Sequence, residues 1–468
     1  MSVLSPSEHG FFSKERITAR PGFNRWMIPP AALAVHLCIG QAYAFSVFNK
    51  PMTQLLGITK SAPGDWSLAS LGWIFSLAIT FLGLSAAFAG KWLEDVGPRK
   101  AMFTAACCFG GGFLIGAIGI SLHQLWLVYL GYGIIGGIGL GIGYVSPVST
   151  LIKWFPDKRG MATGMAIMGF GGGAFIASPL SVALMNHFHT ATSVGVAQTF
   201  IFLGVVYFIS MNIGAFAIRI PAPGWKPEGW TPPATQNAMI TKNHVHIDQA
   251  LKTPQFWLVW WALCLNVTGG IGVIGQASVM IQESFKGAVT PAAAAGFVGL
   301  LSLFNMLGRF FWSSASDYVG RKNTYYIFLA LGAVLYFLVP GMGAAGNVAL
   351  FVLFYVIIIS MYGGGFSTVP AYLADLFGTR YVGGIHGRLL TAWAAGGIFG
   401  PVLVNYIRQY QVAHGVPASQ AYTDTMHIMA VLLIIGFICN FFVRPVASHH
   451  HMSSEELAMD IQPAMATK

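Results

Sequence analysis

Residues 299–323 read GLLSLFNMLGRFFWSSASDYVGRKN. This is an apolar helix with one arginine, Arg309, about two turns before a polar loop. Asn305 precedes it by four residues and so lies on the same helix face. Asp317, Gly320, Arg321 and Lys322 close the stretch. An arginine inside an apolar span is costly, and its presence marks a functional position. Arg309 is eight residues from Asp317, about 12 Å along a helix axis, which makes escape to the polar edge awkward.

The surrounding chain explains why such a helix exists. Of 468 residues, 55% are hydrophobic and 9% are charged, against about 25% charged in soluble domains. Apolar runs alternate with short polar punctuation, the pattern of an all-α polytopic membrane protein. Twelve transmembrane helices are expected, over about 25–48, 67–90, 100–121, 124–152, 160–187, 194–219, 254–284, 291–315, 322–341, 347–373, 383–408 and 421–444. They fall into two six-helix bundles, 25–219 and 253–444. A Pro/Gly-rich linker, 220–252, joins the bundles, and tails 1–24 and 445–468 flank them.

A net charge of +10 would suggest nucleic acid for a soluble chain. Here the distribution argues otherwise. Of the 25 Lys and Arg, only Lys50, Lys60, Lys286 and Arg408 fall in the loops on one side, and Arg309 and Arg388 fall within helices. The rest sit on the other side, in the tails, the linker and alternate loops. That asymmetry predicts cytoplasmic termini and linker in a bacterial inner membrane, with a basic face toward anionic lipid and no nucleic acid partner. The first 24 residues are polar, so the first span is expected to insert uncleaved. Five cysteines lie in apolar runs without metal-ligand spacing, and the adjacent His449, His450 and His451 read as a solvated tail. No metal or other cofactor is expected, and the chain is expected to be monomeric.

The halves echo each other. At an offset of 222, Asp95, Arg99 and Lys100 fall on Asp317, Arg321 and Lys322, and Phe155 on Phe377. At 223, Gly160 and Gly164 fall on Gly383 and Gly387. Repeated halves suggest a site between two bundles near the membrane midplane.

The loop Gly90-Lys-Trp-Leu-Glu94-Asp95-Val-Gly97-Pro-Arg99-Lys100 and its second copy, Ser313 to Lys322, resemble the G-x-x-x-D-[RK]-x-G-[RK]-[RK] motif of major facilitator superfamily transporters. The first copy departs from it: Glu94 holds the acid position counted from Gly90, and Asp95 holds it by repeat offset. Within that superfamily, AYAFSVF (42–48), GYVSPVSTLIKWFPDKRGMATGMA (143–166), YGGGFSTVPAYLADLFG (362–378) and GRLLTAWAAGGIFGP (387–401) resemble the oxalate/formate antiporter family and the related monocarboxylate transporters. The resemblance implies two bundles that alternate access to a central site. It also implies that Asp95 and Asp317 face helix starts near Gly383 and Gly160, forming a gate with Glu94, Arg99 and Arg321.

The guanidinium of Arg309 offers a planar fork that fits a carboxylate with two charge-assisted bonds. Asn305 either hydrogen-bonds substrate or orients Arg309; related monocarboxylate transporters place Asp or Asn there. Tyr43, Tyr144, Tyr362 and Trp393 are aromatics with polar groups near small-residue stretches, and the resemblance implies cavity positions for Tyr144, Tyr362 and Trp393. Where Trp393 stands, dianion-carrying oxalate/formate antiporters place a lysine. One cationic anchor therefore favours a monocarboxylate over oxalate. His36, mid-span, and Arg388, near the start of span eleven, are candidates for a proton site or a second charge.

The expected function is secondary active transport of small organic anions, as antiport against a counter-anion or as proton symport. No P-loop and no constellation of catalytic side chains at depth points to an ATPase or a membrane enzyme. A transporter-like sensor without flux is the alternative from another class.

Overall fold

The computed structural model describes residues 10–231 and 239–461. The outermost tail residues and part of the linker, 232–238, lie outside the described residues. Twelve long helices dominate, here α1 (Ile28–Ile39), α2 (Leu68–Val96), α3 (Pro98–Ser121), α4 (Leu125–Trp154), α5 (Arg159–Phe188), α6 (Val196–Ala217), α7 (Pro254–Ser284), α8 (Pro291–Val319), α9 (Arg321–Ala344), α10 (Val348–Phe377), α11 (Val382–Ala413) and α12 (Thr423–Phe442). The described residues contain no named β-strand. Among the described residues, eleven of these segments are long and apolar enough to cross a membrane, α1 when counted with its flanking turns as Arg25–Phe45. α8 carries Asn305 and Arg309 within an otherwise apolar sequence.

Outward faces of the helices are apolar and exposed, as at Phe88 (82%), Ile213 and Phe311. In water such a surface would be untenable; in lipid it is the expected exterior. The described parts of the tails and linker gather at one end, the basic end. There Thr18 bridges to Ile220, and Val245 to His451.

Several helices depart from regularity where they pack closely. α1 tightens at Gly40 into a 3-10 stretch, Gly40–Phe48, that carries Tyr43. A Cβ at Gly40 would collide with the Phe170 backbone of α5, which explains why α1 and α5 cross there. α4 opens into a π-helical segment over Tyr129–Gly136. Short wide turns of this kind re-aim the residues that follow. α11 breaks at Leu390, between Val382–Leu389 and Thr391–Ala413.

Equivalent crossings join the two halves at the basic end. Where α5 crosses α8, a Cβ on Gly164 would reach the Arg309 carbonyl at 3.0 Å. Where α11 crosses α2, a Cβ on Gly387 would lie 2.9 Å from the Ala86 carbonyl carbon, and one on Gly90 2.7 Å from Gly384 Cα. Only glycine lets the backbones approach this closely.

The turns α2–α3 and α8–α9 also match. Gly97 (φ 83°) and Gly320 (φ 89°) both adopt the positive φ that glycine tolerates. Their spacing is 223 residues, which aligns Glu94 rather than Asp95 with Asp317. Pro98 is the additional residue that returns Arg99 to the 222 offset. It sits at the first position of α3, where its missing N–H costs nothing.

Candidate functional site

Arg309 lies at the boundary between the halves and is fully buried. Its Nε donates to Asn305 Oδ1 at 3.0 Å, and one terminal nitrogen donates to the Ile167 carbonyl of α5 at 3.4 Å. Asn305 therefore holds the fork from one turn away. The other terminal nitrogen, Nη2, has no partner. Among the described residues no carboxylate pairs with Arg309. Phe170 of α5 and Phe366 of α10 flank the guanidinium, with ring centres 5.5 and 5.4 Å away. Two aromatic rings, one from each half, stabilise the cation electrostatically without taking up its hydrogen-bond donors.

The other expected residues converge here. Tyr43 and Tyr362 link the halves through their hydroxyls at 3.2 Å. Trp393 packs its ring 4.5 Å from Phe366, 5.4 Å from Phe170 and 5.4 Å from Tyr144. Trp393 Nε1 and the Tyr144 hydroxyl are buried and make no well-formed hydrogen bond. Arg309 is the charged group that acts on Tyr43, Tyr144 and Tyr362; it also lies close to the Tyr43 and Tyr144 hydroxyls, as Trp393 does to that of Tyr43. A buried polar atom left unpaired is costly. Three such atoms in one place, two of them obligate donors, point to a missing acceptor.

His36 is also buried, with Nδ1 2.6 Å from the Ala166 carbonyl and Nε2 3.1 Å from the Tyr144 carbonyl. Both partners accept, so the neutral ring donates to only one of them. Arg388 does not face the centre. It donates to Asp248 Oδ1 at 2.6 Å and to the Ile247 carbonyl at 2.9 Å, both in the linker.

At the basic end acids bridge the two halves. Asp317 accepts the Gly160 amide at 2.8 Å and the Met161 amide at 2.9 Å, at the N-terminus of α5, and pairs with Arg321 at 2.6 Å. In the other half the sequence expectation for Asp95 is corrected. Asp95 is exposed, and Glu94 accepts the Gly383 amide at 3.1 Å and pairs with Lys153 at 2.7 Å. The longer Glu94 side chain, on the inward face of α2, reaches a helix start that Asp95, 100° further round, cannot. Arg99 also lies away from these acids and donates to the Phe11 and Phe216 carbonyls.

Sequence reading missed Asp375. It sits at the end of α10, two residues past the expected span, and binds Arg159 of α5 at 2.9 Å and Arg321 at 3.3 Å. Its counterpart 222 residues earlier is Lys153, so the halves use opposite charges at matching places. Phe170 and Phe366 carried no signal among 35 phenylalanines. His386, another buried side chain beside Tyr144, was also missed.

Comparison with known proteins agrees with this architecture. Residues 25–401 match the Major Facilitator Superfamily profile. Over 443 residues the chain is 28% identical to the oxalate:formate antiporter of Oxalobacter formigenes, covering 93% of this chain and 96% of that one. It is 24% identical to apicoplast pyruvate carrier 1 of Toxoplasma gondii over 80% of this chain and 76% of that one. The solved structure of the proton:xylose symporter XylE, bound to 6-bromo-6-deoxy-D-glucose, superposes with a TM-score of 0.67 at 15% identity, over 90% of this chain and 96% of that one. An all-helical fold, repeated halves and a family match over most of its length show that this chain belongs to the major facilitator superfamily of membrane transporters.

Proposed function

We propose that the protein is a secondary active transporter of small organic anions, with monocarboxylates as its main substrates, in a bacterial inner membrane with both termini cytoplasmic. The observation that carries this reading is the unpaired Arg309 Nη2, beside the unpaired Tyr144 hydroxyl and Trp393 Nε1, in a buried site with no opposing carboxylate. A single carboxylate bound there accepts from Arg309 and Trp393 of the C-terminal half and from the Tyr144 hydroxyl of the N-terminal half, and rests against aromatic walls. Substrate closes the site by giving the two halves an acceptor to share. The latch at Asp317 and Glu94 breaks when the basic end opens. A gradient of protons or of a counter-anion drives the cycle.

Exchange of oxalate for formate is the second reading, favoured by similarity to the Oxalobacter antiporter. The test is thermal stabilisation of purified protein by formate, lactate, pyruvate, glycolate and oxalate, repeated with Arg309→Gln, followed by uptake into liposomes. Monocarboxylates should stabilise the wild type and not the variant. Stabilisation and uptake by oxalate alone would overturn the monocarboxylate assignment.

A further inference from the structure

His386 lies in the first segment of α11, 1% exposed, with its ring 5.9 Å from that of Tyr144. Its Nε2 is buried without a partner, as is the Tyr144 hydroxyl beside it. Arg388, two residues on, is about 200° round the helix, which turns it outward to Asp248 while His386 faces in. Tyr144 thus sits between Trp393 on one side and His386 on the other.

The remaining ionisable groups near His386 are engaged elsewhere. From α2, Glu94 pairs with Lys153 of α4, and Lys91 is exposed. From α10, Asp375 pairs with Arg159 and Arg321, and the Tyr372 hydroxyl donates to Asn440. In the linker, Asp248 contacts Arg388 and His246. On α1, His36 has its ring 5.4 Å from that of Tyr144 and both nitrogens against carbonyls, and it is the charged group that acts on His386. His386 is the imidazole at this site whose Nε2 meets no protein group.

We propose that His386 is the site's titratable second cation, which determines whether a dicarboxylate can bind beside Arg309. This rests on the carboxylate reading of Arg309. Neutral His386 leaves one cation, which matches one carboxylate. Protonated His386 adds a second charge near Tyr144, and a dianion held by both groups neutralises both. Dianion binding then takes up one proton, and by linkage low pH strengthens it. A monoanion, neutralised by Arg309 alone, shows little of this dependence.

The experiment measures oxalate and lactate binding to the purified full chain between pH 6 and 8, where oxalate is fully ionised, since ordinary carboxyl groups titrate near pH 4. Calorimetry in two buffers of different ionisation enthalpy reads the proton uptake without any variant. Oxalate affinity should fall up to roughly tenfold per pH unit, with close to one proton taken up, while lactate affinity stays nearly level. His386→Gln should keep lactate binding, which also reports its folding, and should lose the pH-dependent part of oxalate binding. His36→Gln should retain it. Lactate binding with no pH-dependent oxalate binding in the wild type overturns the role of His386 alone. So does transfer of the effect to His36→Gln. Failure of every carboxylate to bind the wild type overturns the Arg309 reading itself.

Discussion

The carboxylate of Asp317, at the end of α8, accepts the backbone amide of Gly160 at 2.8 Å across the boundary between the two halves. Its second oxygen takes the next amide, Met161, at 2.9 Å. A carboxylate on the first free amides of a helix gains both from hydrogen bonding and from the helix dipole. In the alternating-access reading proposed above, this contact belongs to the state closed at the basic end. Asp317→Asn should therefore shift the molecule toward the state open at that end, by about 1–2 kcal/mol, or roughly five- to thirtyfold in the conformer ratio. A single cysteine at Ser149, buried beneath Gly383 in a background without native cysteines, reports the change by thiol labelling. An unchanged labelling rate would count against the latch.

The matching latch in the other half belongs to Glu94. Glu94→Gln should increase labelling at position 149, since it loses the Lys153 pair and weakens the bond from Gly383. Asp95→Asn, on the exposed side of the same turn, should stay within about 0.5 kcal/mol of wild type. Equal effects of the two substitutions would return the role to both acids.

Glycine at 387 allows α11 to meet α2. Gly387→Val should prevent that approach, at a cost of about 1–3 kcal/mol to the closed form. The expected result is a protein that still inserts and folds but is trapped open at the basic end, with transport reduced at least about tenfold. Normal uptake in liposomes would show that the crossing is not needed for the cycle.

Arg309→Lys keeps the charge and removes the fork. A charge-assisted hydrogen bond contributes about 1.5–3 kcal/mol, so monocarboxylate affinity should fall roughly ten- to a hundredfold. Competition binding would check this, and wild-type affinity in the lysine variant would exclude two-pronged recognition.

Asp157 pairs with Arg25 at 2.6 Å in the α4–α5 loop. Burial opposes its charge, but hydrogen bonds from Arg25 and from its own backbone, with the Arg25 and Lys158 charges, outweigh burial and hold its carboxyl below the ordinary range. A group with a depressed folded-state pKa contributes stability above its unfolded pKa and loses it as pH falls through the folded value. Asp157→Asn should thus lower the Tm at pH 7, and the difference from wild type should shrink below about pH 4. A gap that stayed constant down to pH 3 would contradict the ionic origin.

Much of the fold is legible because lipid imposes one strong rule on the chain. Spans must be long, apolar and helical, so their number and order follow from hydropathy alone. α8 shows where that rule meets function: within an otherwise apolar span, Asn305 and Arg309 stand together at the site. Edges are less legible: hydropathy ends the tenth span at 373, yet α10 runs to Phe377 and buries Asp375, paired across the halves. The register of the repeat was also ambiguous by one residue. Periodicity alone cannot tell Glu94 from Asp95, since the choice depends on which face of α2 meets α11.

By itself the sequence determined that this is a two-part helical membrane protein with a buried arginine, glycines at matched positions and a basic end. These properties depend on composition, spacing and local backbone freedom. Only the tertiary structure decided which side chains surround Arg309, that Phe170 and Phe366 sandwich it, and that Arg388 turns away while His386 turns in. Those outcomes depend on helix rotation and crossing between segments hundreds of residues apart, which no local pattern encodes. The arginine of 299–323 was visible in one dimension, but its unpaired nitrogen, and the acceptor it implies, exist only in three.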